Sequence, residues 1–513
     1  MSAPQLRLAE LMASLSLAID LGNGQPIEWV MKCTLLGLNL AKAIGLSDDE
    51  QREVYYLSLL RHIGCTATAP ADARRMGDET VVAEGMTIDL DDPAQTLSFV
   101  LRNVGKTKPL AERLRLMANM LAVGSETAHT TCVAQNEVAE RLAGMMGFAS
   151  NFKRGLSQTF ERWDGKGLPD KVQGEDLTLA ARIAYLARDA ATFYHLSGID
   201  AAVTMVRQRS GRHFDPTLAE AFCRHAPDLC ESLETDSVWE VVLAAEPGQS
   251  AWLTDEQFDM AAQAIADFTD LKSHYLVGHS RRVAKIAADA AKAYGLPEAD
   301  VVTIRRAGWL HDIGRVGVTA GIWEKPGPLT ASEWEQVRLH PYFTERVLSH
   351  SRALEPLGTL AALHHERLDG SGYHRRLPAS MLTPLARLLA AADGYCAMTE
   401  ARPHRPALSH AAAATELRRD STIGKFDPQT VDAVLSAAGH RAARLRRAPS
   451  NLTPREIEIL RLIARGHSTK QIARQLTITE KTAENHIYNV YGKLVSRAAP
   501  GPRSLPSRII CST

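Results

Sequence analysis

The 513-residue chain has no run of 18 apolar residues, the least that a helix needs to cross a bilayer. Its most apolar stretch, residues 382–398, is interrupted by Arg387 and Asp393, so no membrane span is expected. The N-terminal MSAPQLRLAELM offers no basic segment followed by an apolar core, so no signal peptide is expected either. Cysteine is sparse: Cys33, Cys65, Cys132, Cys223, Cys230, Cys396 and Cys511 are scattered, odd in number and never spaced as CxxC. That pattern argues against a disulfide framework and a structural zinc site, and it fits a reducing cytoplasm. β-branched alternation is scarce, whereas apolar residues recur at three-to-four spacing in stretches such as SRRVAKIAADAAKAY, so the chain reads as all-α. Net charge is missing too, with 59 Lys+Arg against 59 Asp+Glu.

That zero hides an asymmetry. Residues 441–513 carry 14 basic and 4 acidic residues, a net of +10, which leaves −10 on the rest. A basic tail on an acidic body points to local nucleic-acid contact or to a solvated basic surface. Candidate linkers are the Pro/Gly-containing segment near 246–257 and the Arg-rich 441–452. They divide the chain into 1–245, 254–440, a basic linker at 441–450, and 451–513. The first two pieces share four blocks in the same order. AIGLSDDE…YLSLLRHIG mirrors AYGLPEAD…AGWLHDIG, and FERWDGKGLP mirrors HERLDGSGYH. AARIAYLARDA mirrors LARLLAAADGY, and GRHFDP mirrors IGKFDP. One fold used twice is the expected reading.

The second copy contains His279, His311-Asp312, His340, His364-His365 and Asp393. A lone histidine is more often a satisfied core or surface residue. Five imidazoles with two carboxylates, however, form the N/O donor set that suits iron, manganese or a similar divalent ion. Adjacent residues diverge by about 100° on a helix, so each pair is expected to serve two neighbouring metals better than one.

These residues carry a family resemblance. HSRRVA (279–284), HDIGRVGV (311–318), His340, HHERLDGSGYH (364–374) and ARLLAAADGYCAM (386–398) resemble the HD-GYP subgroup of the HD-domain phosphohydrolases. The resemblance implies tandem HD-type helical bundles with a two- or three-metal site that hydrolyses cyclic di-GMP. It implies that His279, His311, Asp312 and Asp393 hold one metal, while Asp312 bridges to a second held by His340, His364 and His365. Asp312 and Arg315 are the implied catalytic residues. Arg315 stands where the family usually has lysine, and it keeps the charge while offering phosphate a bidentate fork. Tyr275 occupies a position where some members have an extra glutamate ligand, so two metals, iron or manganese, are expected rather than three. The name-giving Gly-Tyr-Pro reads Gly372-Tyr373-His374, which removes a fixed φ from that loop.

In the first copy, Trp29 aligns with His279, Arg61-His62 with His311-Asp312, Thr159-Phe160 with His364-His365, and Arg188 with Asp393. Residues 1–245 are therefore expected to be a degenerate copy without metals, either a scaffold or a binder of an anion through its arginines.

LTPREIEILRLIARGHSTKQIARQLTITEKTAENHIYNVYGKL (452–494) reads as three helices with short polar turns. It resembles the LuxR-type helix-turn-helix. That resemblance places Lys481, Thr482, Asn485 and His486 against DNA, with Lys470 and Arg474 near phosphates. The family's fourth helix commonly supports a homodimer. Here Val495 stands where the family has glycine, the sequence from Ser496 onward is unrelated to the family, and Pro500, Pro502 and Pro506 forbid a helix there.

The expected whole is a cytoplasmic, metal-dependent phosphodiesterase for a cyclic dinucleotide, coupled to a DNA-binding transcriptional regulator. Two alternatives share much of the pattern. One is a regulator whose HD domains only sense a nucleotide, and the other is an HD phosphohydrolase for a different nucleotide.

Overall fold

The computed structural model describes residues 5–440 except 86 and 90, and residues 454–495 except 465, 466 and 477. Among the described residues there are helices, turns and three isolated bridges, and no β-strand. Residues 1–440 form one compact unit and residues 441–513 another.

Within the first unit, one hydrophobic core runs continuously from Leu6 to Leu435. The segment near 246–257 therefore does not separate two bodies. It is stitched to the N-terminus, where Leu8 N donates to Ala251 O (2.8 Å) and Leu253 N to Leu6 O (2.9 Å). Glu246 on the same segment accepts from Arg7 (2.5 Å) and from the Tyr56 hydroxyl (2.6 Å).

Local sequence explains the helices that carry the site. Helix Asp255–Asp270 starts at Thr254, whose hydroxyl accepts from Gln257 N while the Gln257 side chain accepts from Thr254 N. Its face Phe258, Ala261, Ala262, Ile265 and Phe268 is buried at helical spacing. Helix His279–Tyr294 buries Val283, Ala284, Ala287 and Ala291, a face of small residues. A Cβ on Gly308, in helix Glu298–Leu310, would come within 2.6 Å of Ala284 Cα. Only glycine lets these two helices approach so closely, and that approach brings His311 towards His279.

The two halves repeat their local devices. Helices Trp29–Ala43 and His279–Tyr294 each begin at the aligned residue, after a left-handed residue (Glu28, φ 71°; Gly278, φ 77°). Ten residues upstream of each second position lies a buried aspartate that accepts from the helix start: Val30 N donates to Asp20, and Ser280 N to Asp270. Arg61 and His311 each cap a 13-residue helix. A Cβ on Gly64 would meet Gln135 O at 2.1 Å, and one on Gly314 would meet His340 O at 2.1 Å. Gln135 thus stands where the second half has His340.

In the second unit, Ile459, Leu462, Ile472, Ala473, Leu476 and Ala483 from three helices form a small core. Ser468 caps helix Thr469–Gln475 in a capping box with Gln471. Thr453 and Gly466, which flank helix Pro454–Ala464, lie outside the described residues. So does the departure that begins at Ser496.

Candidate metal centre

Each site residue sits where a helix starts or ends, except Asp393, which projects from the middle of helix Pro384–Thr399. His279 opens helix His279–Tyr294, and His340 opens helix His340–Leu348. His311 caps helix Glu298–Leu310, and Asp312 precedes the 3-10 turn Ile313–Gly317 that carries Arg315. His364 and His365 follow helix Glu355–Ala361 in a turn. The expectation that adjacent ligands splay apart on a helix therefore fails, because both pairs lie past a helix end. The rings of His364 and His365 instead converge, with centroids 4.1 Å apart.

The fold brings all seven predicted ligands together. Ligand-capable atoms of His279, His311 and Asp312 lie within 4.8 Å of one another, and so do those of His340, His364 and His365. Asp312 joins the two groups. Its Oδ2 is 2.9 Å from His311 Nε2 and 3.5 Å from His279 Nε2. Its Oδ1 is 3.3 Å from His364 Nε2 and 3.5 Å from His340 Nε2. Asp393 spans a second path, with Oδ1 3.2 Å from His279 Nε2 and Oδ2 3.7 Å from His365 Nδ1.

The imidazoles are oriented from behind. His311, His340 and His364 each donate Nδ1–H to the carbonyl three residues earlier: Gly308 (2.8 Å), Val337 (2.5 Å) and Ala361 (2.7 Å). That bond selects the tautomer whose Nε2 lone pair faces the centre. His279 donates Nδ1–H instead to Glu400 (2.8 Å), which is also held by Arg282 and Arg402. Thr344 ties the turn to the next helix, accepting from Gly314 N (3.0 Å) and donating to His311 O (2.9 Å).

Electrostatics follow from burial and neighbours. Burial would raise the Asp312 carboxyl, but Arg315 and His311 beside it hold it well below the usual carboxylate range. Asp393 is likewise held low against its burial, chiefly by His279. Burial pushes His340, His364 and His365 below the ordinary imidazole value, so they are neutral donors. For His279, burial opposes charge, but Asp393 and Glu400 outweigh it and push the group up to about 9.

This donor set fits cations. Among the described residues, His279 Nε2, His311 Nε2, both Asp312 oxygens and Asp393 Oδ1 are buried without a well-formed hydrogen bond, their charges met only by one another and by the Arg315 ion pair to Asp312 Oδ2. Buried orphan acceptors are costly unless something satisfies them, and here they converge on one volume. A third His/Asp group differs. Asp89, Asp91 and His213 also lie close together, yet Arg162 and Arg212 already pair with both carboxylates.

Arg315 lies beside this centre, its Nη1 2.8 Å from Asp312 Oδ2 and its guanidinium 5.3 Å above the Trp323 ring. Its Nε has no hydrogen-bond partner among the described residues, and Nη1 has none beyond that ion pair. The Gly-Tyr-His loop closes one side, with Tyr373 stacked on His365 at 4.5 Å. Glu366 holds that loop by accepting from the backbone of Arg375, Arg376 and Leu377.

Sequence reasoning missed three supports. Glu400 and Arg402 follow the Asp393 helix, and Arg367 donates to the carbonyls of His364 (3.1 Å) and Glu366 (2.8 Å). The only signal was a set of charged residues directly after ligand-bearing segments. In the second unit, Lys470, Arg474, Lys481, Thr482 and Asn485 are exposed and His486 is half-buried. The Thr482 hydroxyl is also engaged at the helix start with Thr479 (2.7 Å).

Comparison with known proteins agrees with this geometry. Residues 263–430 match the family model described as HD domain, and residues 450–497 match bacterial regulatory proteins of the luxR family. The 3'3'-cGAMP-specific phosphodiesterase 3 of Vibrio cholerae is 31% identical over 410 residues, covering 78% of this chain and 88% of that protein. A cyclic di-GMP phosphodiesterase of Pseudomonas aeruginosa is 33% identical over 251 residues, 47% of this chain and 60% of that one. The crystal structure of the cyclic GMP-AMP-specific phosphodiesterase V-cGAP3 of V. cholerae superposes with a TM-score of 0.58 at 27% identity, covering 85% of this chain and 98% of that chain. No helix among the described residues is long and apolar enough to cross a membrane. The chain belongs to the HD-GYP-type HD-domain phosphohydrolases and joins that enzyme to a LuxR-family DNA-binding domain.

Proposed function

We propose that residues 254–440 form a binuclear phosphodiesterase that opens a cyclic dinucleotide, and that its state biases DNA binding by residues 451–513 in the cytoplasm. The observation that carries this reading is the set of orphaned Nε2 and carboxylate atoms converging around Asp312. His279, His311, Asp312 and Asp393 would hold one divalent ion, and Asp312, His340, His364 and His365 a second, with iron or manganese suited to the donors. Such ions supply Lewis acidity towards the phosphate and lower the pKa of the attacking water. Asp312, kept ionised by Arg315 and His311, joins the two ligand groups. Arg315, ion-paired with Asp312 through Nη1, would offer its unpaired Nε–H to a phosphodiester oxygen and stabilise charge as the bond breaks. Tyr373, stacked on His365, shields that side from water.

On substrate, relatives named for cyclic di-GMP and for cGAMP both match this chain. A relative whose similarity covers 78% of this chain is named for 3'3'-cGAMP, which favours cGAMP over cyclic di-GMP. The test is to incubate the metal-loaded full chain separately with each. Conversion of cGAMP to a linear dinucleotide faster than cyclic di-GMP is expected. The reverse order overturns the preference, and turnover of neither overturns the phosphodiesterase reading.

Residues 1–245 are read as a copy that has lost its metal ligands. In the second unit, Lys481, Thr482, Asn485 and His486 would meet DNA bases from helix Glu480–Val495, and Lys470 and Arg474 its phosphates.

A further inference from the structure

We infer that Arg61 and Arg188, in the half of the chain without metal ligands, form a buried site that takes a phosphate group, free or on a nucleotide. The two arginines occupy the positions of His311 and Asp393 of the other half. Their guanidinium carbons lie 5.1 and 4.8 Å from the centroid of one ring, Tyr185, so they are separated by no more than the sum of those distances.

Positive charge here exceeds its partners. Asp189, itself 1% exposed, accepts from Arg188 Nε (2.7 Å) and lies 3.1 Å from Arg209 Nη1. One carboxylate thus serves two guanidiniums. Arg61, 4% exposed, has no carboxylate within ion-pair distance among the described residues. Its Nη2 donates to Thr159 O (2.5 Å), while Nε and Nη1 are buried with no acceptor. Several titratable groups beside the pair are held neutral. Burial, then Arg61 and Arg188, keeps His62 well below the imidazole range, and burial raises the Cys33 and Cys65 thiols and the Tyr185 phenol. Burial and the charge of Arg188 push Arg61 down to about 9.

A buried cation without a counter-charge is costly, and an arginine pair with open N–H groups matches the planar, multi-acceptor surface of phosphate. The half that lost its histidines and carboxylates has therefore exchanged a cation-holding centre for an anion-holding one. Trp29, which stacks on His62 at 6.0 Å, and Ala191, one turn beyond Arg188, form part of the wall of a cleft of about 110 Å³ that also carries Lys32, His195 and Glu234.

The experiment follows the melting temperature of the metal-loaded full chain against inorganic phosphate and, separately, cyclic di-GMP, at constant ionic strength. Equilibrium dialysis with radiolabelled phosphate gives the stoichiometry. A ligand of the folded state raises Tm with the logarithm of its concentration. Arg61→Met and Arg188→Gln are each expected to remove one phosphate per chain and to weaken the Tm response at least tenfold in concentration. Because both variants keep the metal centre, the difference from wild type reads only the first half. Arg61→Met is also expected to melt higher than wild type without phosphate, since it deletes an unpaired charge. Should that variant fail to fold, Arg188→Gln, whose side chain is 12% exposed, carries the test. A lower concentration range for cyclic di-GMP than for phosphate, lost in the variants, identifies a nucleotide as the source; the opposite order identifies free phosphate. A wild-type Tm that ignores both probes overturns the site. So does a response and stoichiometry unchanged in either folded variant.

Discussion

His279 donates its Nδ1–H to Glu400 across 2.8 Å while its Nε2 faces Asp393 at 3.2 Å, so one ring links a peripheral carboxylate to the centre. Glu400 touches none of the reacting atoms and acts as a positioning residue. Removing such a partner typically lowers metal affinity about 10–100-fold. Glu400→Ala is expected to require correspondingly more metal for half-maximal activity, with turnover largely restored at saturation. Glu400→Gln, which keeps an acceptor, should recover part of the affinity. Metal titration of activity together with direct metal-binding measurements checks this, and unchanged affinity in Glu400→Ala refutes it.

Asp312 is the residue on which both ligand groups converge. Asp312→Ala is expected to abolish phosphodiesterase turnover and to lower tightly bound metal from about two per chain. Elemental analysis and a linear-product assay read both effects. Circular dichroism should stay helical, because the three Nδ1-to-carbonyl bonds behind the rings do not involve Asp312. Chelation of the wild type should likewise remove activity without unfolding, and adding metal back should restore it.

Gly314→Ala places a methyl group 2.1 Å from His340 O and 2.5 Å from Thr344 N. Both are backbone atoms, so the turn carrying Asp312 must move away from His340. A loss of about 1–3 kcal/mol or more in urea unfolding is expected, with a fall in activity larger than the stability loss explains. Wild-type stability in this variant would contradict the close approach.

In the DNA-binding unit, Lys470 and Asn485 separate two contributions. Lys470→Ala should weaken binding to all sequences alike and reduce the slope of log K against log salt by about 1. Asn485→Ala should cost about 1–3 kcal/mol on a selected target and little on unrelated DNA. Binding titrations at several salt concentrations check both. A salt slope that Lys470→Ala leaves unchanged removes that residue from the phosphate contacts.

The clustering of the seven candidate ligands was legible because each falls in a motif of the family resemblance, and the fold brings all seven to one place. The helical class was legible from apolar periodicity. Glu400, Arg367 and Arg402 were not, since a support is defined by the carbonyl or ring it reaches, and no spacing encodes that. Gln135 could not be paired with His340 from sequence, because it lies in the 36-residue helix Leu110–Met145, which has no counterpart in the second half. The segment near 246–257 carries the residues of a linker, yet Arg7, Tyr56 and Leu253 bind it into one core through contacts nearly the whole first half apart in sequence.

That shared core also governs how the chain can be divided. The turn Ile313–Gly317 is backed by Leu21 and Gly22 of the first half as well as by Phe343 of its own. Glu79 of the first half accepts from Ala320 N (2.6 Å) and pairs with buried Lys272 (3.0 Å). The first half is thus the inner wall against which Arg315 is set. A gene shortened to residues 254–440 would lose that wall along with its former twin. Activity of the second half is therefore expected to depend on packing residues of the first half independently of that half's own ligands, with inactivating substitutions at positions such as Leu21 and Glu79.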